Sequence, residues 1–128
     1  MYIPTLAVIA APSDSLRYSL QALLARLPQI GAVQSVEDAR ALLDILTAAQ
    51  PQLVVLDVNW LGGEAGSLLA QMKTIAPRAR TVALIDRIEQ QPALQAAADL
   101  VLLKGYPAAE LFNIIERLLA QDDPGANP

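Results

Sequence analysis

The feature that most restricts this chain is a set of short aliphatic runs that do not alternate with polar residues. Leu6-Ala7-Val8-Ile9-Ala10, Leu53-Val54-Val55-Leu56, Val82-Ala83-Leu84-Ile85 and Leu100-Val101-Leu102-Leu103 each span four or five residues. A strand with one wet face alternates apolar and polar residues. These runs instead predict strands covered on both faces, the condition met in a parallel sheet. Ala32–Val36 is a weaker run and fits a strand near an edge.

Segments with helical spacing separate the runs. Leu16, Leu20, Leu23, Leu24 and Leu27 form one stripe, with Ser13 or Asp14 as its cap and Pro28 after its end. Ala39–Ala48 brings Leu42, Leu43 and Leu46 together and stops before Pro51. Leu68, Leu69, Met72 and Ile75 form a third stripe that ends near Pro77, and Gln90–Ala98 is short and Ala-rich. In the last helix Leu111, Ile114, Ile115, Leu118 and Leu119 share a face, with Pro107 suited to the first turn and an end near Ala120. The order βαβαβαβαβα predicts a three-layer α/β sandwich, a (βα)5 arrangement with right-handed crossovers. At 128 residues the favoured member is the flavodoxin-like parallel sheet of order 2-1-3-4-5. Gln121–Pro128 is polar and reads as a flexible tail or linker.

Composition narrows the function classes. With 23 Ala, 22 Leu, 9 Ile and 8 Val the chain can bury a full core. It has no Cys and no His, which removes thiol nucleophiles, zinc–thiolate sites, the usual catalytic base and phosphohistidine chemistry. The expectation is that the domain is not an enzyme. A net charge of −4 without a basic cluster argues against a nucleic-acid surface. The longest apolar run, Leu6–Ala11, is far too short to span a membrane, and no basic leader precedes it. A cytoplasmic location is expected.

In an open α/β sheet, function gathers at the carboxyl ends of the strands. The first strand runs into Ala10-Ala11-Pro12-Ser13-Asp14 and the third ends on Asp57, followed by Val58-Asn59-Trp60-Leu61-Gly62-Gly63. The fourth leads into Asp86-Arg87, and the fifth into Lys104-Gly105-Tyr106-Pro107. Alone, Asp57 reads as a turn residue capping the loop after it. Trp60 and Leu61 are candidates for a docking loop, unless the indole folds down over the neighbouring helix. Gly62-Gly63 lacks a phosphate-loop pattern and reads as a flexible turn, and Asp86-Arg87 as a solvated loop pair.

PQLVVLD, a Gly-containing loop, LVLLKG and PAAELFNIIERLL together resemble the receiver domain of bacterial response regulators, over about residues 5–120. The domain expectation is therefore a receiver-like unit at 1–120 and a tail at 121–128. The resemblance implies that Asp57 is the equivalent of the phospho-acceptor and Lys104 the lysine that pairs with the phosphate. It also implies Mg²⁺ held by an acidic pair after the first strand, and a Ser/Thr and an aromatic that relay the change. Here the acidic pair falls on Ala10, Ala11 or Pro12, the hydroxyl position on Ile85 and the aromatic position on Val101. Asn59 falls where the family uses a backbone carbonyl as metal ligand. Leu61 stands where a Pro is usual, and Ala65 where the loop glycine is usual.

Phosphoryl transfer is catalysed almost wholly by positioning and charge neutralisation, mainly through Mg²⁺. Asp57 with alanines opposite offers a poor Mg²⁺ site, so no metal or other cofactor is expected. The resemblance thus implies an atypical, degenerate receiver acting through protein–protein contacts, with an impaired phosphorylation switch. Its implied partners are a histidine kinase or an output domain, and a possible arrangement is a homodimer through the fourth-helix to fifth-helix face. The alternative is a phosphorelay receiver still phosphorylated on Asp57. A small α/β catalyst or nucleotide binder is disfavoured by the missing His, Cys and Gly-rich loop, and a cobalamin-binding relative by the absent ligand histidine.

Overall fold

All five runs become strands in a computed structural model that describes residues 5–12, 14–60 and 65–121. These are β1 (Leu6–Ala10), β2 (Ala32–Val36), β3 (Leu53–Asp57), β4 (Arg80–Ile85) and β5 (Leu100–Leu103). They pair in parallel in the order β2-β1-β3-β4-β5, the flavodoxin-like order expected from the sequence. The connecting helices are α1 (Ser15–Ala25), α2 (Ala39–Ala49), α3 (Ala65–Ile75), α4 (Gln91–Leu94) and α5 (Ala108–Ala120).

Each central strand divides its side chains between two cores, which is why its sequence shows no alternation. Val8, Ala10, Val54, Leu56, Ala83 and Ile85 face α2, α3 and α4, where Leu42, Leu46, Leu69, Met72 and Leu94 complete the cluster. Ala7, Ile9, Leu53, Val55, Val82 and Leu84 face α1 and α5, against Leu20, Leu24, Ile115 and Leu118. Burying each large aliphatic side chain contributes about 1.5–3 kcal/mol. The edge strand β2 is half exposed, as its mixed sequence AVQSV predicts, and Gln21 Nε2 donates to its Ser35 Oγ at 2.7 Å.

Aspartates start the first two helices. Asp14 Oδ1 accepts from the Leu16 and Arg17 amides at 3.0 and 3.4 Å, and Asp38 Oδ1 from the Ala41 amide at 2.7 Å. Each satisfies N–H groups that have no partner inside the helix. Ser13, the other expected cap of α1, lies outside the described residues. α2 ends at Gln50, whose left-handed φ of 49° turns the chain toward Pro51. Its Nε2 donates to the Leu46 and Ile75 carbonyls at 3.0 and 3.1 Å, joining the ends of α2 and α3.

The fourth helix departs from expectation. In place of one helix over Gln90–Ala98, a 3-10 turn (Ile88–Gln90) leads into the short α4, and the chain then turns through to Asp99. The Ala-rich stretch has only Leu94 as a large anchor, with Ala98 buried beside it, so little burial holds a longer helix. Asp99 then fixes the start of β5. Its Oδ2 accepts from the Thr81 amide at 2.8 Å and from Thr81 Oγ1 at 3.2 Å. No helix among the described residues is long and apolar enough to cross a membrane.

Candidate functional site

The parallel register places the ends of β3, β4 and β5 side by side. Asp57 pairs with Leu84, and Ile85 with Leu103, so Asp57, Asp86 and Lys104 leave the same edge of three adjacent strands. The Lys104 amide donates to the Ile85 carbonyl at 2.9 Å and the Val58 amide to the Leu84 carbonyl at 3.0 Å, extending the ladder past the strand ends. On β1, Ala10 pairs with Leu56, so Ala11 and Pro12 flank Asp57 on its other side.

Lys104 Nζ lies 2.8 Å from Asp57 Oδ2 and 2.7 Å from Asp86 Oδ1. The three side chains grade from buried to open, Asp57 at 5%, Lys104 at 26% and Asp86 at 44% exposure. Two carboxylates about one ammonium leave the cluster with a net negative charge. Asp57 Oδ1 is engaged as well, accepting from the Asn59 and Trp60 amides at 3.1 and 3.4 Å. This Asx-type turn fixes the plane of the carboxylate.

The electrostatics follow from these contacts. Burial alone would pull Lys104 down, but hydrogen bonds to Asp57 and Asp86, with their charges, outweigh it and hold the ammonium above its usual range. Asp86 is held below the usual carboxylate range, chiefly by its hydrogen bonds from Lys104 and Asn59. A second tier completes the site. Asn59 Nδ2 donates to Asp86 Oδ2, and Gln90 Nε2 donates to Asn59 Oδ1 at 2.6 Å. Gln90 Oε1 accepts from the Asp86 and Arg87 amides at 3.1 and 3.0 Å.

The structure thus brings Asp57 and Lys104 together, and it corrects the reading of Asp86-Arg87 as a solvated loop pair. Asp86 is exposed, but its ion pair is with Lys104, because it directly follows a strand whose neighbour presents the ammonium. Asn59 and Gln90 also belong to the site, and sequence reasoning did not assign their side chains to it. The strand-end rule that found Asp57 and Lys104 applies equally to Asp86, and Gln90 stands four residues beyond it. Trp60 is half-buried and packs against the core on the α2–α3 face, while Leu61 lies outside the described residues. Ala10, Ala11 and Ile85 are buried in the cores, and Val101 is half-buried against the α3–α4 side.

The carboxylate oxygens at this edge are already engaged by other groups. Mg²⁺ wants near-octahedral oxygen coordination, usually with one or two free carboxylates. Here both oxygens of Asp57 already have partners, the β1 end supplies none, and no group of three or more metal-ligating side chains gathers among the described residues.

No protein-family model matches the chain, and no curated protein matches it in sequence. Solved structures match it in fold. A LuxR-family two-component response regulator from Aurantimonas sp. SI85-9A1 is 20% identical with a TM-score of 0.76, over 96% of this chain and 92% of that one. The receiver domain of the putative response regulator NarL from Mycobacterium tuberculosis is 19% identical with a TM-score of 0.75, over 94% and 100%. The response regulator TrrA from Thermotoga maritima, in complex with Mg²⁺ and BeF, is 17% identical with a TM-score of 0.75, over 89% and 98%. These neighbours are signalling proteins, and the chain has the flavodoxin-like, CheY-like fold of response-regulator receiver domains.

Proposed function

We propose that the chain is an atypical response-regulator receiver domain that acts in signal transduction through protein contacts, with an impaired phosphorylation switch. One observation carries this reading. Asp57 and Lys104 keep a 2.8 Å contact at the ends of β3 and β5, while the neighbouring end of β1 is Ala10-Ala11-Pro12. The pair argues for a receiver, and the missing carboxylates argue against metal-assisted phosphoryl transfer. Asp57 is 5% exposed with both oxygens engaged, so an attack on a phosphoryl donor would first have to break a contact with Lys104 or the loop amides.

On this reading the domain is not an enzyme, takes no Mg²⁺ and works in the cytoplasm. Its partners are a histidine kinase or an output domain. The edge of Trp60 left open to solvent, with Leu61 after it, is a contact for them, and the α4–α5 face is available for a homodimer.

The test uses the single tryptophan, three residues from Asp57. Trp60 fluorescence is followed during titration with Mg²⁺ and then with Mg²⁺ plus beryllofluoride, and intact mass is measured after acetyl phosphate. The expected result is no saturable change at millimolar Mg²⁺ and no added phosphate. A saturable change that Asp57→Asn abolishes would establish instead a receiver still phosphorylated on Asp57.

A further inference from the structure

The turn after β4 is tied into the site by a closed ring of side-chain contacts. Lys104 Nζ holds Asp86 Oδ1 at 2.7 Å, and Asn59 Nδ2 donates to Asp86 Oδ2. Gln90 Nε2 reaches Asn59 Oδ1 at 2.6 Å, and Gln90 Oε1 returns to the Asp86 and Arg87 amides at 3.1 and 3.0 Å. An isolated surface ion pair contributes little. This one is anchored on Asp57, which is 5% exposed, and continued by side chains that polarise one another.

We propose that Asp86, Asn59 and Gln90 form a permanent latch that fixes the turn between β4 and α4, with the Asp86 carboxylate as a built-in second anion for Lys104. The inference rests on the reading above and names the regulation of that same site. The surface carried by this turn, including Ile88 at 53% exposure, is presented constantly rather than switched. A ligand shifts an equilibrium only by its differential affinity for the two states. A new anion at Asp57 would compete with Asp86 for an ammonium already in use, so it has little to offer the loop.

Amide hydrogen exchange of the 128-residue chain, read by NMR at Asp86 and Arg87, tests the latch. Gln90→Ala removes the acceptor of both amides and sets the rate of the opened turn. Lys104→Met leaves Gln90 untouched, yet the latch predicts that exchange at Asp86 and Arg87 rises about tenfold, while Val8 and Val55 in the core stay slow. Unchanged rates in Lys104→Met, or wild-type rates already equal to those of Gln90→Ala, would overturn the proposal. If Lys104→Met also speeds Val8 and Val55, Asp86→Asn decides the matter at Arg87. Faster exchange there supports the latch and an unchanged rate overturns it. The two proposals fail separately. Phosphate uptake on Asp57 would sink the impaired-switch reading without touching these rates, and a loosely held turn in a phosphate-silent domain would sink the latch alone.

Discussion

The loops after β1 and β4 leave the same edge of the sheet, each with an aspartate, and the two aspartates do different work. Asp14 turns back onto the Leu16 and Arg17 amides and starts α1. Asp86 turns to Lys104 at 2.7 Å and joins the site. The difference lies in what competes for each carboxylate. α1 begins at once with Ser15, so its unpaired N–H groups draw in the nearest acceptor. After β4 a 3-10 turn comes first, and Gln90 takes the loop amides, leaving the Asp86 carboxylate for the ammonium. An acidic residue near a strand end is therefore a site residue only where no helix start claims it.

Lys104→Met breaks this contrast most severely. It leaves the buried Asp57 charge without a counter-ion and next to a second carboxylate, and should lower stability at neutral pH by about 2–3 kcal/mol in urea unfolding. Asp57→Asn should lose less, since the amide carries no buried charge and Lys104 keeps Asp86 as its counter-ion. On the capping side, Asp14→Ala should lose about 1 kcal/mol while leaving the titration of Lys104 unmoved, as followed by NMR. A shift in Lys104 would mean the two loops are coupled.

Asp86→Asn should cost less global stability than Asp14→Ala, because its pair is open to solvent and screened. Its signature is in pH. The folded-state pKa of Asp86 is depressed, so its contribution is present above the ordinary carboxylate value of 3.8 and is lost as pH falls through the lower folded value. Lys104 is raised, so its contribution is complete below 10.5 and is lost as pH climbs through the higher folded value. Side-chain NMR titration should place the Asp86 midpoint below 3.8, and Asp86→Asn should flatten the acid limb of the urea midpoint against pH.

Much of this was legible in the residues. Strands such as β3 are aliphatic throughout Leu53–Leu56 because both faces are covered, and that pattern needs no partner to be read. Asp57 and Lys104 were legible because strand ends converge in any sheet of this order. The fourth helix was not, since Gln95, Ala96, Ala97 and Ala98 carry no stripe, and the path there is set by Leu94, Ala98 and the anchor of Asp99 on Thr81. Asp86 escaped for a similar reason. Whether a loop carboxylate faces water or an ammonium depends on how Gln90 folds the turn back, a contact between side chains that no periodicity encodes.

Lys104 directly follows β5, the edge strand of the sheet, whose one strand neighbour among the described residues is β4. Its side chain nevertheless reaches Asp57 on β3, two strand spacings or roughly 10 Å inward. The ammonium is thus a cross-brace spanning β5, β4 and β3, in a direction the backbone ladder does not supply. Peeling the β5–α5 unit away from the sheet, the cheapest partial detachment an edge offers, and dismantling the charged centre are then one event.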